Sequence, residues 1–121
     1  MRVFLTHEIP DTLNLLRKIN LKIKGILIGH LRGNGIVVEK MIPIGSDFPS
    51  EDKFLEINRI FENKLIGFFI FNDGETSINK FLNPFFAGNI ILKIDKNEMK
   101  AFLIDFDGNK MFFSTIELKT L

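Results

Sequence analysis

Two histidines, His7 and His30, are the chain's only imidazoles, and they bound the acid–base and metal chemistry the sequence can offer. Neither stands in an H-E-x-x-H or comparable spacing. Each falls at the end of an expected strand, where an isolated histidine is usually solvated or hydrogen-bonded. Pairing with Glu8 requires the two strand ends to converge. An acidic stretch, Asp73-Gly74-Glu75, follows the most apolar run of the chain. With His30 it forms the candidate set for a hydrolytic site, provided the three side chains come within hydrogen-bond reach. As a structural feature, the same stretch is a solvated turn. Asp105-Phe106-Asp107-Gly108 looks superficially like a Ca²⁺ or phosphotransfer loop but lacks the other ligands of a calcium loop. Its place between two strands predicts a plain Asp-Gly turn.

Nucleophiles are equally scarce. Ser46, Ser50, Ser77 and Ser114 carry no local signature, and no G-x-S-x-G elbow exists. The chain has no cysteine, which excludes disulfides, thiolate metal sites and a thiol nucleophile. Arg32-Gly33-Asn34-Gly35 precedes a strand rather than a helix, so it is not expected to cradle phosphate.

Composition narrows the partners. A net charge of +1 without any Lys/Arg run argues against nucleic acid, since Arg17-Lys18 and Lys22-Ile23-Lys24 are too sparse for a phosphate footprint. The apolar runs fall well short of the roughly 18–20 residues that span a bilayer, and the N-terminus lacks a signal-peptide core. A cytoplasmic protein with no membrane partner is expected. All 14 aromatic residues are Phe, which supplies core volume without the polar tip typical of binding surfaces. At 121 residues the chain is expected to form one domain, residues 1–121.

The elements that must position these residues follow from periodicity. Residues 2–8 read as a strand. A helix starts at Ile9-Pro10-Asp11, its apolar stripe formed by Leu13 and Leu16 with Leu15 and Ile19 one ridge over. From Leu21 the period becomes two, and Arg32-Gly33-Asn34-Gly35 supplies a hairpin turn into a second strand over 36–44. Ser50 is the expected N-cap of a helix carrying Phe54, Ile57 and Phe61. Leu65 to Phe71 is apolar on both faces, as in a strand covered on both sides. A short helix through Ile78, Phe81 and Leu82, with Ser77 as its expected cap, ends at Pro84. Three strands follow, over 89–95, 98–106 and 110–118. The order β-α-β-β-α-β-(short α)-β-β-β predicts an α+β sandwich: one mostly antiparallel central sheet flanked by helices.

Three strings then match a known pattern: Gly25-Ile26-Leu27-Ile28-Gly29-His30-Leu31, the returning Val37 to Ile44, and Leu65-Ile66-Gly67-Phe68-Phe69. In order and spacing they resemble the JAB/MPN (JAMM) metalloprotease-like family, which implies a cytidine-deaminase-like architecture over nearly the whole chain. In active members the family holds Zn²⁺ with two histidines of an H-x-H unit and a downstream aspartate, and a glutamate serves as general base. Aligned on Gly25, the glutamate position falls on Lys22. Aligned on Gly67, the histidine positions fall on Ile70 and Asn72, and the following proline becomes Asp73. The downstream serine and aspartate positions fall on Lys80 and Asn83, or on Ser77 and Lys80 with a short deletion. The resemblance therefore implies a degenerate member without metal, cofactor or catalytic residues, acting as a protein-interaction or scaffold module, as a homodimer or with another protein. Phe81, Phe85 and Phe86, bracketed by Pro84 and Gly88, are the candidate interaction patch, or else core packing under the short helix. Two alternatives stand beside this: a divergent hydrolase with a site relocated to His30, Asp73 and Glu75, and a roadblock- or profilin-like regulatory domain.

Overall fold

Alternating apolar residues build seven strands, and their pairing closes on itself. The computed structural model describes residues 1–19, 21–45, 47–72, 78–95 and 98–120. Strands β1 (Arg2–Leu5), β2 (Ile23–Arg32), β3 (Gly35–Gly45), β4 (Leu65–Phe71), β5 (Ile90–Ile94), β6 (Met99–Phe106) and β7 (Met111–Thr120) join helices α1 (Glu8–Ile19) and α2 (Glu51–Ile60). The strands form a closed barrel in the order β1-β3-β2-β4-β5-β6-β7. The expected sandwich with an open central sheet is therefore corrected: the fold is a closed, mixed barrel. The strand that closes it is the short β1, which lies parallel to β3 on one side and to β7 on the other. A third parallel pair, β4 with β5, sits across the barrel. Alternation assigns each strand two faces but does not say which strands are neighbours, so closure is invisible to it.

Two apolar clusters follow from the alternation. One draws on all seven strands and so fills the barrel: Val3, Leu27, Val38, Phe69, Leu92, Ala101 and Ile116 belong to it. Helix α1 adds Ile9, Leu13 and Leu16 and packs against β3. The second lies outside the barrel wall, where Ile26, Phe68, Ile70, Ile91 and Ile104 are covered by Phe54 of α2 and by Phe81 and Phe86. Strand β4 contributes to both clusters, which is why its residues are apolar on both faces.

Three features differ from the expected elements. Leu15 and Ile19 of α1 are exposed, because the helix buries only the ridge of Ile9, Leu13 and Leu16. The short helix is replaced by two 3-10 turns, Asn79–Phe81 and Pro84–Phe86. Asn83 breaks them apart by capping the second through a hydrogen bond from the Phe85 N–H, 2.9 Å; the expected cap Ser77 lies outside the described residues. Bulges interrupt the ladders as well. Ile28 faces Lys40 while Gly29 faces Val38, so Glu39 is the extra residue on β3, and Ile66 is skipped in the same way on β4. Such bulges, with Gly25, Gly29 and Gly67 nearby, let long strands bend around a small barrel. A β-carbon on Gly25 would run into the Ile42 carbonyl and the Phe69 ring.

Helix α2 and the last turn form as their residues dictate. Ser50 Oγ accepts from the Lys53 N–H at 3.3 Å. Asp107 accepts from the N–H groups of Lys110 and Asn109, both at 2.9 Å, beside Gly108 at φ 95°. The Lys110 bond, followed by the Asn109 bond, holds the Asp107 carboxyl below its usual value of 3.8. A carboxyl depressed by folding stabilises the turn above its unfolded value and loses that contribution as pH falls through the folded one. In NMR titrations the Lys110 amide shift should therefore show an acid step with a midpoint below 3.8, absent in Asp107→Ala. Among the described residues, no helix is long and apolar enough to cross a membrane.

Candidate functional site

A cleft lies where β1 meets the β2–β3 hairpin. Parallel pairing sets Arg2 opposite Gly35, so a residue near the start of the sequence stands beside a turn some thirty positions later. The cleft measures about 450 Å³ and is lined by Met1, Arg2, Phe4, Arg32, Asn34 and Gly35. That volume is within the range of small-ligand sites. Val3 and Leu5 point into the barrel, so Phe4 between them points outward. Its ring lies so close to Gly35 that a β-carbon there would stand 2.7 Å away. The ring forms an apolar wall between the two arginines' strands.

Charge at this cleft is positive on its own lining. Arg2 Nε sits 3.2 Å from Glu117 Oε2, with both side chains more than half exposed, so the pair adds little stability, up to about 1 kcal/mol. It leaves the remaining guanidinium N–H groups of Arg2 available. Among the described residues, Arg32 has no ion-pair or hydrogen-bond partner. A guanidinium presents a planar fork of donors that matches a carboxylate in bidentate fashion. Asn34 adds an amide able to donate and accept. None of the five lining side chains is a nucleophile or a group that titrates near neutral pH. Such a lining offers donors suited to an anion beside an apolar surface.

A second cleft, about 250 Å³, is lined in part by Glu39, Lys40, Glu62 and Lys64. Glu39, two residues beyond His30's register partner Val37, pairs with His30 through Oε1 and Nδ1 at an exposed position. Thr6 Oγ1 donates to the Glu39 carbonyl at 3.2 Å, which anchors the bulge to the end of β1. This pairing connects His30 with an acid that sequence reasoning did not single out.

The other residues singled out from sequence are distributed as follows. Ile70 is fully buried in the outer apolar cluster. Asn72 has φ 59°, and its N–H donates to the Ile94 carbonyl at 2.9 Å. Lys22 is exposed just ahead of β2, at the same end of the β2–β4 pair as Asn72. Asp73 and Glu75 lie outside the described residues, so their relation to His30 does too. Among the described residues, no group of three or more His, Asp or Glu side chains is placed to hold a metal ion. Phe81 and Phe86 are 2% and 7% exposed, and Phe85 is half-buried against Phe54 and Phe86. Nearby, the Lys80 and Lys24 ammonium groups sit 4.6 and 5.1 Å from the Phe48 ring centre, a cation–π arrangement.

No protein-family model matches the chain, and no curated protein matches it. Among solved structures it is similar to the solution structure of protein DSY2949 from Desulfitobacterium hafniense, a target of the Northeast Structural Genomics Consortium, with 19% identity and a TM-score of 0.61. The match covers 98% of this chain and 94% of that one. At this identity the likeness shows the fold alone. The JAB/MPN resemblance is thereby corrected, because the barrel closes and no family model supports it. The glycines that carried it stand where strands approach too closely for a side chain, at the Ile42, Val37 and Ile90 carbonyls. A structural need of this barrel accounts for the string.

Proposed function

We propose that this chain is a cytoplasmic protein-interaction module that binds a short acidic segment of a partner protein at the Arg2–Arg32 cleft. The observation that carries the reading is the cleft's lining: two guanidinium groups, an amide and an outward Phe ring. A carboxylate side chain fits the guanidinium forks, Asn34 suits a peptide main chain, and Phe4 takes a neighbouring apolar side chain. The His30–Glu39 pair gives the hydrolase alternative less support, because the Thr6 hydroxyl beside it already donates to a carbonyl.

Calorimetric titration with a Glu-Phe-Glu-Glu peptide tests the proposal. Binding should be saturable, should weaken as salt is raised, and should weaken about tenfold in Arg32→Ala, the loss expected for a charged hydrogen bond. Arg32→Lys should recover part of that loss, since it keeps the charge and loses the fork. Affinity indifferent to Arg32→Ala would sink the assignment of this cleft.

A further inference from the structure

Helix α1 commits one face to the barrel and leaves an apolar ridge facing outward. Its buried residues, Ile9, Leu13 and Leu16, occupy one side. At about 100° per residue, Leu15 and Ile19 fall together roughly a quarter-turn away. They are stacked at i, i+4 spacing and are 62% and 52% exposed. Leu21, just beyond the helix, is 59% exposed.

The charges on the same helix say what covers it. Glu8 and Asp11 lie in the first turn and Arg17 and Lys18 in the last. All four are exposed, and among the described residues none of them has an ion-pair partner. The helix dipole accounts for the sign of charge at each end, but not for the apolar ridge between. Of these charges, Asp11 and Lys18 flank the ridge on one side, toward its two ends, while Arg17 lies on the far side of the helix; that order of charge is complementary to the same ridge turned antiparallel, the arrangement a two-fold axis generates. With Leu15 on the axis, Asp11 is four residues before it and Lys18 three after, so each falls beside the other on the facing helix.

We infer that α1 is the interface of a two-fold homodimer in which Leu15 packs on Leu15 of a second copy with Ile19 beside it, flanked by Asp11–Lys18 pairs. This inference is independent of the acidic-segment cleft. A 12-residue helix is about 18 Å long, a small contact beside the roughly 1,200–2,000 Å² of stable interfaces. The dimer is therefore weak and concentration-dependent.

Sedimentation equilibrium of the full chain from micromolar to millimolar concentration is the test. Wild type should pass from monomer to dimer, and Leu15→Glu should raise the dimer dissociation constant at least tenfold with an unchanged circular dichroism spectrum. Asp11→Lys and Lys18→Asp should each weaken association, and the double swap should restore it, because the two ends match again. A chain that stays monomeric throughout overturns the inference and leaves the ridge to a different partner. A dimer that survives Leu15→Glu, or a double swap no stronger than either single change, overturns it as well.

Discussion

Replacing Phe68 by alanine is expected to lower the unfolding free energy by about 3–5 kcal/mol, among the largest losses available from one side chain. Phe68 is fully buried on the outer face of β4. Its ring centre lies 4.7 Å from Phe81, 5.4 Å from Phe86, 5.5 Å from Phe54 and 6.0 Å from Phe48. Those four rings belong to α2, to the loop ahead of it and to two 3-10 turns, so one side chain seats four segments on the barrel wall. Collapse into the vacated space would require all of them to move together. The cavity term should therefore persist. Urea titration should show the midpoint falling sharply for Phe68→Ala and by much less for Phe68→Leu, which keeps most of the buried area. Phe106→Ala is the internal control: that ring is 46% exposed and its loss should change stability by no more than about 0.5 kcal/mol. Equal losses at 68 and 106 would mean that the aromatic layer contributes no more than ordinary surface contact.

Local chemistry was legible in the sequence, and long-range pairing was not. Ser50 as an N-cap, the Asp107-Gly108 turn and the two-faced run Leu65–Phe71 all follow from interactions within a few residues, and each forms. Closure depends on β1, four residues long, finding both β3 and β7. Nothing in Arg2-Val3-Phe4-Leu5 encodes two parallel partners, since any short alternating strand offers the same hydrogen-bond edges. The stripe on α1 illustrates a different failure. Leu15 and Ile19 have helical spacing and apolar character, yet only the ridge through Leu13 reaches the barrel. Periodicity predicts which residues align, while packing decides which alignment is covered.

The candidate cleft was hidden for the same reason. Arg32-Gly33-Asn34-Gly35 was visible as a turn, and its lack of a following helix argued against phosphate binding. What the sequence could not convey was that Arg2 and Phe4 would be laid beside that turn by β1–β3 pairing. The pairing of His30 with Glu39 is a diagonal one: the hairpin sets His30 opposite Val37, and Glu39 lies two residues further along β3 on the same face. The glycine string misled in the opposite direction. It resembles a family signature, whereas each glycine marks a place where a neighbouring carbonyl occupies the space of a side chain.

That reading of the glycines has its own consequence at Gly67, where alanine is expected to cost about 3 kcal/mol or more. A β-carbon at this position would overlap the carbonyl oxygen of Ile90, its register partner on β5. The obstacle is main chain rather than the end of a flexible side chain, so the two strands must separate to admit the methyl group. They have little room to do so: Ile90, Ile91 and Leu92 are all fully buried, and Phe68, Phe69 and Ile70 are buried beside them. Any displacement of β5 disturbs the barrel interior and the outer aromatic layer at once. Gly33 provides the contrast. It has φ 60° and nothing within 4 Å of an added β-carbon, so Gly33→Ala incurs only the left-handed backbone penalty of about 1–2 kcal/mol, and Gly33→Asn less, since asparagine tolerates that conformation. Thermal unfolding of the three variants should rank Gly33→Asn above Gly33→Ala and both well above Gly67→Ala. If Gly67→Ala melted with Gly33→Asn, the close approach of β4 and β5 would not be what excludes a side chain there, and the account of the glycine string would fail with it.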